Sequence, residues 1–264
     1  IIKGIVKDFL PTPVLHLLRQ AGLGQIRFKG HFSQWQVAAS QCSGYDDHAI
    51  LNRVLASTLK VKGGSAAYER DSSIFSEIQY SWPLLSGLMR AAAINNNVLN
   101  VLDFGGSLGS TFFQNKKFFS ELKDVLWNIV EQPHFVKAGV ENIQDETLRF
   151  YTTIDECLAE NSPNVVILSS VLQYVNRPMK LLEQLSGLEI ETLIIDRTPY
   201  LKKGDQAIIK IQEITDNLFV SKYPCHFFIE DELINIPKSH GYNLLESFDA
   251  IDKLSSEASW RGHI

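Results

Sequence analysis

Two hydrophobic rhythms divide this chain. Up to about residue 97 apolar side chains recur every three or four positions, and from Val98 onward short apolar runs alternate with helix-like stretches. Ile50, Leu51, Val54, Leu55 and Thr58 predict an amphipathic helix that starts at Asp46 and stops before Gly63 and Gly64. Ile74, Phe75, Ile78, Trp82, Leu85, Leu88 and Met89 continue the helical spacing. Pro83 must begin a new helix or kink this one, since proline lacks the N–H an interior turn uses. Nearer the start, Thr12 and Pro13 open a short helix, VLHLLRQ, that Gly22 and Gly24 can end. Ser33 and Gln36 have capping-box spacing ahead of VAAS. Residues 1–97 are therefore expected to form a cap of helices and connections.

Beyond Val98 the expected strands are 98–104, 127–131, 149–152, 165–169 and 192–196. TFFQNKKFFSEL, PHFVKAG, DECLAEN and PMKLLEQL lie between them as crossover helices or helical turns. Apolar strands separated by helices predict an α/β domain over 98–264, a doubly wound, mostly parallel, Rossmann-like sheet covered on both faces. The segment 207–228 departs from the alternation and reads as an inserted hairpin or extended pair, within an insertion at 201–229. A helix over 230–240, stopped by Gly241, and two further strands at 242–248 and the chain's last residues complete the pattern.

Charge and composition narrow the functions. A net charge of −5 argues against a protein that coats nucleic acid, which needs a concentrated basic face. Residues 1–30 run the other way, with Lys3, Lys7, Arg19, Arg27 and Lys29 against Asp8 alone. That end is either a solvated helical face or an arm resting on an anionic membrane surface or partner. No apolar run approaches the roughly 20 residues of a membrane span. Cys42, Cys157 and Cys225 are isolated and odd in number, so they form no disulfide framework and no CxxC site. They read as core or near-core side chains in a reducing, cytoplasmic setting. Without HxH, HExxH or GxSxG, neither a metal nor a hydrolase serine is implied.

The chemistry concentrates at VLNVLDFGGSLGS, residues 98–110. Gly105, Gly106 and Gly109 follow the first strand of the α/β region, where a tight turn lets a ligand approach the backbone. Asp103 ends that strand and is placed to accept from a cationic or amine-bearing ligand, or to fix amides of the turn. Glu131 ends the next strand, 22 residues past Gly109, where an acid can bind both hydroxyls of a ribose. A dinucleotide fingerprint, GxGxxG, is met only in part, because Phe104 stands in place of its first glycine.

These residues resemble the first motif of class I S-adenosylmethionine-dependent methyltransferases, with Ser107 where the middle glycine commonly is. SGYD at 43–46, YERD at 68–71, WPLL at 82–85, LDFGGSLGST at 102–111, VEQ at 130–132, LSSVLQYV at 168–175 and IIDRTP at 194–199 are similar to a bacterial family of such enzymes, often encoded beside surface-polysaccharide genes. The resemblance implies a seven-stranded sheet and S-adenosylmethionine as cofactor. Asp103, Gly105, Gly106, Ser107, Gly109, Glu131 and Gln132 would then hold the donor. Ser169 and Ser170 could contact it from the loop after the fourth strand, with Gln173 and Tyr174 facing the acceptor; alternatively the serines cap a helix and Tyr174 is packed. Tyr68 and Arg70 could reach over the sheet edge, the arginine forking onto the methionine carboxylate, or could belong to a surface helix start. Tyr45 and Asp46 carry a weaker case of the same kind.

Asp196 is a candidate general base, or else the partner that orients Arg197 toward an anion. His226 could hang over the acceptor as a base, and His134 borders the adenosine pocket or packs. The expected reaction is methyl transfer to an oxygen, or a nitrogen, of a small or glycan-linked acceptor. A nicotinamide oxidoreductase, disfavoured by the incomplete turn, and a donor-binding but inactive scaffold are the rival readings.

Overall fold

The computed structural model describes residues 26–42, 48–204, 206–215, 220–251 and 257–264. The predicted helix at VLHLLRQ, most of the basic N-terminal segment, and Tyr45 and Asp46 lie outside the described residues. Among the described residues no helix is long and apolar enough to cross a membrane.

The chain divides into two compact units, and the division is not the expected one at residue 97. The smaller unit holds the described residues of 1–45 and 208–226, and the larger holds those of 46–207 and 227–264. In the smaller unit β1 (Ile26–Phe32) pairs antiparallel with β9 (Ile208–Thr215), and β10 (Val220–Phe227) lies on the other side of β9. Residues 26–32 thus form a strand where a connection was expected. The predicted extended pair at 207–228 is present as β9 and β10. A short helix α1 (Trp35–Ala39) follows β1, but its N-cap is Gln34 with no side-chain cap, so the Ser33 capping box does not form. Ala38, Ile209 and Ile211, with Phe32, Trp35 and Cys42 against them, make a small core of this unit's own.

The larger unit is built on a seven-stranded sheet, in the order β11-β12-β8-β7-β4-β5-β6. Its strands are β4 (Val98–Phe104), β5 (Asp124–Val130), β6 (Leu148–Tyr151), β7 (Val165–Ser169), β8 (Thr192–Leu201), β11 (Ser247–Asp249) and β12 (Ala258–His263). All pairs from β6 to β8 are parallel, and β12 runs antiparallel to both β8 and β11. This is the doubly wound, mostly parallel sheet expected. Chain order reverses between β4 and β7, and in such sheets a crevice opens beyond the carboxyl ends of the strands at that reversal.

Alternation along the strands feeds two cores. On one face Leu99, Val101, Trp127, Ile129, Val165, Ile167 and Ile194 pack with Leu51, Val54, Leu84, Leu88, Phe112 and Phe135. Those partners come from α2 (His48–Lys62), α3 (Trp82–Ile94), α4 (Ser110–Asn115) and α5 (Pro133–Asn142). On the other face Leu102, Val166, Leu168 and Ile195 meet Ile154, Cys157, Leu182, Leu185 and Leu233. Here the partners are α6 (Ile154–Glu160), α7 (Pro178–Ser186) and α8 (Glu230–Ser239). Helices α2 and α3 therefore belong to the α/β body because their apolar stripes cover its sheet. Cys157 and Cys225 are buried, and burial pushes the Cys157 thiol up to about 12.

The predicted helix carrying Ile74 and Phe75 is replaced by a hairpin, β2 (Tyr68–Arg70) with β3 (Ser73–Phe75). Its two-residue turn, Asp71 and Ser72, is left-handed at both positions, as a tight hairpin turn requires. Helix α3 begins only at Trp82, with Pro83 in its first turn.

Gly262 marks where β12 crosses the sheet most closely. A β-carbon there would collide with the Phe248 ring and approach the Ile195 carbonyl oxygen to 2.7 Å, and a backbone oxygen cannot swing aside. Gly262→Ala is expected to cost about 1–3 kcal/mol, read as a lower urea midpoint with unchanged slope. A midpoint equal to the parent's would show that β12 can shift without loss.

Candidate functional site

The glycine-rich turn leaves β4 at the reversal point. Gly105 and Gly109 are left-handed, at φ +72° and +96°, and Ser107 shares that conformation at φ +55°. The Gly105 N–H donates to the Val130 carbonyl at 2.9 Å, tying the turn to β5. A β-carbon on Gly106 would lie 2.5 Å from the Asp103 carboxyl carbon, and one on Gly105 would strike Val171 beyond β7. Both glycines are thus required by the protein's own packing, whatever approaches from outside.

Three carboxyls surround this turn. Asp103 is 1% exposed and accepts the Trp127 indole N–H at 2.9 Å. Burial pushes its carboxyl up to about 7, with the indole hydrogen bond pulling the other way. Glu131 follows β5, and its Oε2 accepts the Gln132 backbone N–H at 3.0 Å. Burial, with the charge of Asp103 added, raises it to about 7 as well. Glu69 on β2 is the third, also 1% exposed, and its Oε1 accepts the Ser110 hydroxyl. Burial again lifts it to about 7 against the pull of Ser110. Among the described residues none of the three forms an ion pair, although the charge of Arg197 also bears on Glu69.

Glu69 was not among the expected site residues, and strand alternation explains why. In YERD, Tyr68 and Arg70 share one face of the hairpin, where Tyr68 packs on Phe75 at 5.6 Å and the Arg70 guanidinium lies 5.4 Å from the same ring. The other face carries Glu69 to the glycine turn. Read as a strand, the motif already puts 69 opposite 68 and 70.

At the neighbouring edge Ser169 ends β7, and Asp196 pairs with it in register on β8. The Ser170 N–H donates to the Asp196 carbonyl at 3.0 Å. Gln173, expected to face the acceptor, is instead fully buried, its side-chain amide donating to Ser170 Oγ and to the Arg197 carbonyl, each at 3.1 Å. Its amide satisfies backbone and side-chain groups of the loop, which fixes it inward. Tyr174 is half-buried in the 3-10 turn 172–174. Asp196 is 2% exposed and its Oδ1 accepts the Arg197 backbone N–H at 2.8 Å, while the Arg197 guanidinium reaches Asp71. His134 is half-buried and edge-on to Phe135. His226 belongs to the smaller unit, where its ring stacks on Trp35 at 4.9 Å. The structure thus brings together Asp103, Gly105, Gly106, Ser107, Gly109, Glu131 and Gln132, with Ser169, Ser170 and Asp196 along the adjoining edge.

A cleft lined by Arg90, Thr192, Lys238 and His263 opens at the opposite, amino-terminal end of β8. It shares no residue with the glycine turn. The carboxyl edge is the better candidate because the three raised acids and the left-handed backbone converge there.

No described protein family matches the chain, and no curated protein does. Among solved structures it is similar to an S-adenosylmethionine-dependent methyltransferase from Clostridium acetobutylicum ATCC 824, at 11% identity over 70% of this chain and 91% of that one, with a TM-score of 0.43. The CcbJ methyltransferase from Streptomyces caelestis is 13% identical over 67% and 88%, with a TM-score of 0.41. CalS10, an amino pentose methyltransferase from Micromonospora echinaspora, is 10% identical over 70% and 92%, with a TM-score of 0.39. With identities and scores this low, none of these likenesses assigns a ligand or a reaction to this chain.

Raised carboxyls make stability depend on pH in a definite sense. Unfolded carboxyls lose their protons near pH ~4, whereas Asp103, Glu131 and Glu69 hold theirs to about 7 in the folded chain. Between those limits the folded state binds more protons, so unfolding free energy should fall as pH rises and level off above about 7. Urea unfolding of the ligand-free protein from about pH 5 to about pH 8 reads this slope, and Asp103→Asn should reduce it by one proton. An unchanged slope in the variant would mean that Asp103 is already ionised throughout.

Proposed function

We propose that this chain is an S-adenosylmethionine-dependent methyltransferase. The observation that carries the reading is the convergence at the glycine turn of two buried carboxyls, Asp103 and Glu69, and the half-buried Glu131, all with raised protonation and, among the described residues, none in an ion pair. Buried acids are stabilised by a cation, and leaving them unpaired is costly. S-adenosylmethionine brings a sulfonium and an ammonium against one carboxylate. The pyrophosphate of a dinucleotide would instead meet three acids, at a turn whose first glycine is Phe104. Electrostatics and spacing therefore disfavour the oxidoreductase alternative together.

Bound there, the donor would supply a methyl group already made labile by the positive sulfur. Glu131 is proposed to accept from the ribose hydroxyls and the Gly105–Gly109 backbone to cradle the ligand. Asp103 is assigned to fixing the turn and to the local negative field. Ser169 and Ser170 border the donor from the β7 side. For a hydroxyl acceptor, Asp196 is the proposed proton acceptor, since it lies at the carboxyl edge with Tyr174 in the loop beside it. What remains is placement of the acceptor and exclusion of water. The family resemblance adds an oxygen of a small or glycan-linked molecule as the acceptor.

Calorimetric titration tests the reading. S-adenosylmethionine and S-adenosylhomocysteine should bind and NAD should not; the reverse order would overturn it. Glu131→Ala should weaken S-adenosylhomocysteine binding about tenfold to a hundredfold, the worth of one or two hydrogen bonds to a charged group, with the unfolding midpoint preserved. Unchanged affinity would remove Glu131 from the ribose role.

A further inference from the structure

Arg197 is held at the carboxyl edge more firmly than an ordinary surface arginine. It is left-handed at φ +54°, in the middle of a strand. Its N–H donates to Asp196 Oδ1 at 2.8 Å and its carbonyl accepts from Gln173 at 3.1 Å. Gln173 also grips Ser170, itself left-handed at φ +57°. That conformation is strained for a non-glycine residue and persists only where the surroundings impose it. The result is a guanidinium on a rigid mount.

The anion it meets is mounted in the opposite way. Asp71 lies 2.8 Å from Arg197, yet its side chain is 70% exposed while that of Arg197 is only 14% exposed. Asp71 sits at the tip of the β2–β3 hairpin. In this pair the cation is built in and the carboxylate is the replaceable member. An ion pair with one exposed partner is worth little, so exchanging the anion costs little. The groups that share its surroundings are Tyr68, Glu69 and Arg70 on the hairpin and Asp196 on β8.

We propose that Arg197 recognises an oxyanion, phosphate or carboxylate, carried by the methyl acceptor, and that Asp71 occupies its place until that group arrives. Calling the ligand the acceptor rests on the donor assignment above. The planar fork of arginine suits either group. The location suits an acceptor, because Ser170 joins Asp196 on one side and Val171 abuts the glycine turn on the other. An anion at Arg197 would therefore lie beside the donor crevice, with the Arg197 charge set against the nearby Glu69.

Titration at low salt with inorganic phosphate and with acetate as probes, with and without S-adenosylhomocysteine, tests this. Asp71→Asn should bind its preferred probe about twofold to fivefold tighter than the parent, because the competing carboxylate is gone. Arg197→Gln should abolish binding, and Arg197→Lys, which keeps the charge without the fork, should retain it weakly. Affinity of Asp71→Asn for S-adenosylhomocysteine should stay within about twofold of the parent. Whichever probe gains more names the acceptor's group. The proposal falls if neither probe gains in Asp71→Asn, or if Arg197→Gln binds them as the parent does. Failure of S-adenosylhomocysteine to bind the parent would instead overturn the donor reading, with the anion titrations still deciding the role of Arg197.

Discussion

Asp103 and Gly106 lie so close that no side chain fits between the turn and the carboxyl beneath it. That contact orders much of what surrounds it. The carboxyl is anchored to β5 by the Trp127 indole, so the turn cannot lift away without exposing an acid already bonded to the core. Gly105 is pressed on Val171, which locks the loop after β4 to the loop after β7 across the reversal. With the turn set, Ser110 comes within reach of Glu69 and pins the hairpin, whose tip then meets Arg197. One buried carboxyl thus leads through successive contacts to the opposite side of the edge.

The same protein shows how it treats acids that serve structure alone. Glu230 takes the Arg261 guanidinium at 2.6 Å and 2.9 Å, and Glu213 takes Lys29 at 3.0 Å. Among the described residues Asp103, Glu131 and Glu69 accept hydrogen bonds from neutral donors and form no ion pair. Burial without a counter-ion raises the cost of ionisation rather than the stability of the fold. Acids left in that state at a strand-end crevice are better explained by a cationic visitor than by packing. A perturbed carboxyl can also be structural, and it is the coincidence of three about one turn that favours function.

Much of the sheet was legible in the sequence because strands covered on both faces read as unbroken apolar runs. Val98–Phe104 and Val165–Ser169 came out at their observed bounds. The hairpin did not, since Ile74 and Phe75 happen to fall at helical spacing with Ile78 and Trp82, and its turn uses Asp71 and Ser72 rather than a glycine. Residues 26–32 escaped because their strand is covered only by a small local core. The boundary at 97 failed for a related reason: a change of rhythm marks where strands begin, not where the core ends, and α2 and α3 cover the same sheet. At the site, the glycines and both strand-end acids were readable from spacing. Glu69 and Gln173 were not, because their roles depend on which face of a short strand or turn meets another segment.

Left-handed residues other than glycine point the same way. Where the chain turns into β4 at the far edge, they are Asn96 and Asn97, a residue type that tolerates the conformation. Along the carboxyl edge and the hairpin that meets it they are Ser107, Ser170, Arg197, Asp71 and Ser72, none of them an asparagine. Among the described residues Glu189, leading into β8, breaks the contrast. Asparagine would ease the strain at 107, 170 and 197, but it would not keep the hydroxyls at 107 and 170 or the guanidinium at 197. Gln173 and Asp196 supply the hydrogen bonds that hold Ser170 and Arg197 in place against that strain.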